Sequence, residues 1–162
     1  MDDYSLMHSL VLMIWLALCA VQDVQQRHIA NRLTLGAGAA ALAYLLWSGT
    51  TWLGAPAEQG GWAFLLAVAF TLPGYALGRM GAGDVKMMAT IGLATEPVHL
   101  LGSFIGAGVL SALWLLLAPT VWPLMAQGLR KRVVFLAPEL SKNPPFAPFV
   151  FLGMFLTMAW IQ

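Results

Sequence analysis

Charge is scarce in this sequence. Only 9% of its 162 residues are charged, eight basic and seven acidic, where soluble domains carry about a quarter. A chain that is 60% hydrophobic, with mean hydropathy +0.78, cannot cover a water-facing surface, so its solvent is expected to be largely a lipid bilayer. The net charge of +1 gives no electrostatic reason to expect nucleic acid or an acidic partner. Cysteine is nearly missing. The single Cys19, set in an apolar run, can close no internal disulfide, and without a CxxC pair no zinc site is expected; it reads as a small buried hydrophobe.

Familiar catalytic signatures are missing too. There is no GxSxG, no HExxH, and no Ser-His-Asp or Cys-His set that would fall on one face. The first apolar run follows Asp2, Asp3 and His8 rather than a basic segment, and no small-x-small site ends it. It is therefore expected to be a span and not a cleavable signal.

What the chain does have is six apolar stretches: Leu6–Gln22, Leu33–Leu53, Trp62–Gly78, Val85–Ala94, Leu100–Val121 and Phe146–Ile161. A helix needs about 20 apolar residues to cross the hydrocarbon, and only the fourth stretch is clearly too short. The expected fold is all-α, a polytopic membrane protein of six transmembrane helices forming one domain over residues 1–162. Trp47, Trp52, Trp62, Trp122 and Trp160 lie near span ends, which suits an interfacial aromatic belt or ordinary packing. The pairs Gly74–Gly78 and Gly102–Gly106 have the spacing that lets helices pack closely.

The basic residues are segregated. Arg27, Arg32, Arg79, Lys86, Arg130, Lys131, Arg132 and Lys142 all fall in the first, third and fifth connections. The other connections and the termini hold only Asp2, Asp3, Glu58 and Glu96. By the positive-inside rule the odd connections are cytoplasmic and both termini lie outside. The one long polar stretch, Gln127–Pro145, is a cytoplasmic connection in which Glu139, between Pro138 and Lys142, reads as a solvated charge.

Two acids remain. Asp23 follows the first span and Asp84 opens the fourth, both at cytoplasmic helix ends and at similar depth. The short fourth span suggests that Gly81-Ala82-Gly83 dips below the surface and carries Asp84 with it, since glycine reaches unusual dihedrals and admits another backbone. Two carboxyls a few ångströms apart cannot both ionise, and a pair sharing one proton can activate water while polarising a carbonyl. His8 and His99, placed outside, cannot serve such a site. Spacing alone leaves three readings open. The acids are structural, as caps or as pairs with Arg27 and Lys86; or they line a proton or ion path; or they hydrolyse peptides.

At these residues the sequence resembles the prepilin peptidases, GxGD-type membrane aspartyl proteases. Asp23–Leu35 (DVQQRHIANRLTL) is similar to the family's Asp, basic residue and Ile-Pro-Asn-x-Leu-Thr run; Gly81–Lys86 (GAGDVK) matches GxGDxK; Pro145–Phe149 with Leu152 and Gly153 resembles its Pro-Phe-x-Pro-Phe…Leu-Gly segment. The resemblance implies that Asp23 and Asp84 are the catalytic pair, with Gly81, Gly83, Lys86, Asn31 and Thr34 supporting the acid-bearing turns. Arg27 is implied as a charge partner of Asp23 or as a plain topology-fixing charge. It further implies a prepilin or pseudopilin substrate, cut at the cytoplasmic face of the bacterial inner membrane, with no cofactor and no metal. The alternative is a small proton-coupled transporter or channel using the same acids. Two departures stand out. Ala30 occupies the family's usual Pro position, so the turn after Asp23 is expected to be less rigid. The double CxxC domain of the larger, methylating members is missing, which likens the chain to the short Tad/Flp-type peptidases and predicts no methyltransferase activity.

Overall fold

The computed structural model describes residues 3–137 and 144–161. The expectations for Asp2, Pro138, Glu139 and Lys142 therefore lie outside the described residues. Among the described residues seven α-helices follow one another: α1 (Asp3–Gln26), α2 (Asn31–Ser48), α3 (Ala57–Ala76), α4 (Ala82–Ala94), α5 (Pro97–Val121), α6 (Gln127–Arg132) and α7 (Ala147–Ile161). Each of the six apolar stretches holds one of the longer helices. Two of them, Tyr4–Gln26 and Pro97–Leu124, are long and apolar enough to cross a membrane, and Ala147–Ile161 is apolar but shorter.

The six longer helices form two layers of three. In one, α7 lies between α1 and α5; in the other, α4 lies between α2 and α3. Trp15 Nε1 donates to Leu33 O (3.0 Å) and joins the layers along α1 and α2. Phe70 of α3 stacks on Phe104 of α5 at 5.7 Å and closes the opposite side. The short α4 takes the centre, with Met87, Met88 and Ile91 wholly buried together with Leu16 of α1 and Val150 and Met154 of α7. The outward faces are apolar as well: Ile14, Leu18 and Val21 on α1, Ile105, Val109 and Leu116 on α5, Phe155 and Leu156 on α7.

Glycine sets the closest approaches. A Cβ at Gly106 would stand 2.7 Å from Gly153 Cα, and one at Gly92 would stand 2.7 Å from the Phe64 backbone. The Gly102–Gly106 spacing thus does pack α5 on α7. Gly74–Gly78 does not serve helix contact. Gly78 lies beyond α3 with φ 68°, and Gly74 faces only Met80 of the next turn. Two further expectations change. The second apolar stretch stops as helix at Ser48, because Gly49 takes a left-handed φ of 71° and its amide bonds Leu45 O; Trp52 and Leu53 then lie in the loop before α3. The polar stretch from Gln127 contains α6, whose Arg130 Nε donates to Met125 O at 2.8 Å. Among the tryptophans, Trp47, Trp62 and Trp160 are exposed at one end of the bundle. Trp52 instead turns inward and donates to His8 O (2.9 Å) as a packing residue.

Candidate active site

Asp23 lies in the last turn of α1 and is buried, 6% exposed. A carboxylate in such a place needs donors. Its Oδ2 accepts the Ala147 amide at 3.0 Å, one of the N–H groups that the first turn of α7 leaves without an intrahelical partner. Arg27 ends α1. Its amide donates to Asp23 O (2.8 Å), and its φ of 51° is left-handed, uncommon for a residue with a Cβ. The chain thereby turns sharply toward α2.

Asp84 comes from the other layer. After Gly78, the amides of Arg79 and Met80 both donate to Gly74 O (2.9 and 3.1 Å), which folds the chain back on the end of α3. Gly81 then caps α4, and Asp84 in the first turn accepts the Gly81 amide on Oδ2 at 3.1 Å. The capping geometry expected for Asp84 is therefore present. Of the two duties expected of the glycines, close approach holds at Gly83, where a Cβ would meet Ile29 Cβ at 3.3 Å. The other does not hold at Gly81, whose φ of −76° and ψ of 151° are ordinary extended values; the left-handed glycine of this segment is Gly78.

Both carboxyls line one open cleft of about 430 Å³ at the end of the bundle. They reach it from separate layers, with Arg27 beside them in the lining. Arg27 and Arg79 share the rim, Ser111 and Leu115 of α5 form one wall, and Phe146, just before α7, and Phe149 within it form another. The cleft is deep because α4 is short. A two-residue link joins α4 to α5, and the 13 residues of α4 rise roughly 20 Å. Asp84 is thereby held about 15 Å from the link and lines the same cleft as Ser111, beyond which α5 continues roughly 15 Å further to Val121.

The remaining predicted residues stand beside the cleft rather than in it. Lys86 Nζ donates to Asn31 Oδ1 (2.8 Å) rather than pairing with Asp84. Thr34 is fully buried, and its carbonyl accepts Thr90 Oγ1 at 3.2 Å. Asn31 and Thr34 thus tie the start of α2 to α4. The sequence reading missed Ser111, Arg79 and the Ala147 amide. A polar Ser in the middle of an apolar span was a usable signal for the first. The amide had none, since any residue carries one.

The chain matches the type IV leader peptidase family over residues 10–116. No curated protein and no solved structure matches it. The matched region runs from α1 to α5, takes in both acid-bearing segments and covers about two thirds of the sequence, 107 of 162 residues, so the chain belongs to the type IV leader peptidase family.

Proposed function

We propose that this chain is a membrane-embedded aspartic endopeptidase, with Asp23 and Asp84 as its catalytic pair, that removes the leader of a type IV prepilin or pseudopilin at the cytoplasmic face of the bacterial inner membrane. The observation that carries this reading is the convergence of two carboxyls, from separate helices of separate layers, on one recessed cleft. Two acids so placed hold one proton between them. The ionised carboxylate takes a proton from water as its oxygen attacks the scissile carbonyl; the neutral carboxyl donates to the carbonyl oxygen. Collapse of the tetrahedral species breaks the C–N bond, and the leaving amine takes up a proton.

The outward apolar faces support burial in lipid, since exposed apolar area of that extent is a liability in water. The basic residues Arg27, Arg32, Arg79 and Lys86 all lie at the helix ends on the cleft side, which supports a cytoplasmic opening and a six-span arrangement with both termini outside. A transport role for the same acids is less well supported. Beneath them lie Leu16, Met87, Met88 and Ile91, all wholly buried, an apolar plug rather than a polar route. Only residues 27–30 separate α1 from α2, and Cys19 can form no CxxC pair there, which supports a peptidase-only reading of the Tad/Flp type, without methyltransferase activity.

The test is co-expression with candidate prepilins, read as a size shift on a gel. Asp23→Asn and Asp84→Asn should each abolish the shift while the protein remains folded in the membrane. Substantial cleavage by both variants would overturn the assignment.

A further inference from the structure

The turn between α1 and α2 is built in an unusual way. Residues 27–30 leave α1 through the left-handed Arg27 and enter α2 at Ala30, which has φ −60° and ψ 135°. The amide of Ala30 has no helical partner. It donates instead to Gln22 Oε1 at 3.0 Å, back across the turn, and the bond is partly buried. Gln22 is the residue immediately before Asp23. Between the two ends of this bond, Ile29 is 3% exposed and lies against Gly83, the residue immediately before Asp84.

A single chain of contacts thus runs from one acid to the other. It passes from Gln22 to Ala30 by a hydrogen bond, through the peptide to Ile29, and from Ile29 to Gly83 by packing. We infer that Gln22 is a positioning residue: by holding the Ala30 amide it seats Ile29 on Gly83 and so sets the separation of the Asp23 and Asp84 carboxyls. The inference deepens the peptidase reading and rests on it for its catalytic consequence, but the bond itself is testable apart from any activity.

The backbone at position 30 offers a specific rescue. Its φ lies where a pyrrolidine ring would fix it, and proline would delete the very N–H that Gln22 satisfies. Gln22→Ala frees the turn and leaves that amide without its partner. Ala30→Pro restores rigidity by another route and makes Gln22 unnecessary. A residue that only helped α1 to fold would not be rescued by proline eight positions away.

The experiment uses the full chain in nanodiscs. Amide exchange at Ala30 is measured in the wild type and in Gln22→Ala; cleavage of a prepilin is measured in both, in Ala30→Pro and in the double variant. Gln22→Ala should speed exchange at Ala30 by about fivefold, the effect of one lost hydrogen bond, and should lower kcat by a similar factor with KM unchanged. Ala30→Pro should cut like the wild type, and the double variant should match Ala30→Pro. Unchanged exchange, a wild-type kcat in Gln22→Ala, or a double variant as slow as Gln22→Ala would each overturn the inference. A wild-type protein that cuts no prepilin would sink the peptidase reading instead, with exchange at Ala30 still deciding for or against the bond.

Discussion

Asp23 Oδ2 and the Ala147 amide meet at 3.0 Å across 124 positions of sequence. This bond docks the start of α7 on the end of α1 and gives a buried carboxylate its donor. A hydrogen bond to a charged group contributes about 1.5–3 kcal/mol. Ala147→Pro should test it, since proline is accepted in the first turn of a helix but has no N–H to give. Leader cleavage is expected to fall by about tenfold or more, with the protein still monodisperse in detergent. A variant that cuts at the wild-type rate would show that Asp23 does not depend on this donor.

Two carboxyls sharing one proton lose function at both extremes of pH. At low pH both are neutral and neither can take a proton from water; at high pH both are ionised and neither can donate to the carbonyl. The initial rate of leader cleavage should therefore trace a bell against pH. A profile that rises to a plateau and stays there would indicate one working acid, not two.

Gly92 is where α4 comes closest to α3, and the atoms a Cβ would strike belong to the Phe64 and Ala63 backbone, which cannot swing aside. Gly92→Ala should cost about 1–3 kcal/mol as an overpacked interface and lower the thermal midpoint in detergent. Gly36, with nothing within 4 Å of its would-be Cβ, provides the control; Gly36→Ala should leave the midpoint unchanged or slightly higher.

Lys86 and Asn31 hold α4 to α2 by an exposed bond of 2.8 Å. Exposed polar pairs contribute little, up to about 1 kcal/mol. Lys86→Met should thus leave cleavage within about fivefold of the wild type. A complete loss would move Lys86 from a structural tie into the chemistry.

Much of this arrangement was legible in the chain. Apolar runs, one of them short, mark the six longer helices, and the scarcity of acids made Asp23 and Asp84 conspicuous. The end of α2 at Ser48 also has a local signal, since Ser48-Gly49-Thr50-Thr51 breaks the apolar stretch and Gly49 takes the left-handed position that glycine commonly fills after a helix. Other features have none. Lys86 reads as a partner for Asp84 two residues away, yet its ammonium reaches Asn31, 55 positions distant. Gln22 reads as an ordinary polar residue at a helix end, and only the fold brings the Ala30 amide within its reach.

The brevity of α4 makes it a gauge. Anchored at its far end by the Thr95-Glu96 link, it sets by its residue count how far below the rim of α5 the Asp84 carboxyl is held. One added helical turn would raise that carboxyl by roughly 5 Å, while Asp23, which hangs from a different helix, would not follow. The number of residues between Ala82 and Ala94 is therefore as tightly constrained as their identities, and insertions there should be far less tolerated than insertions in the loop before α3.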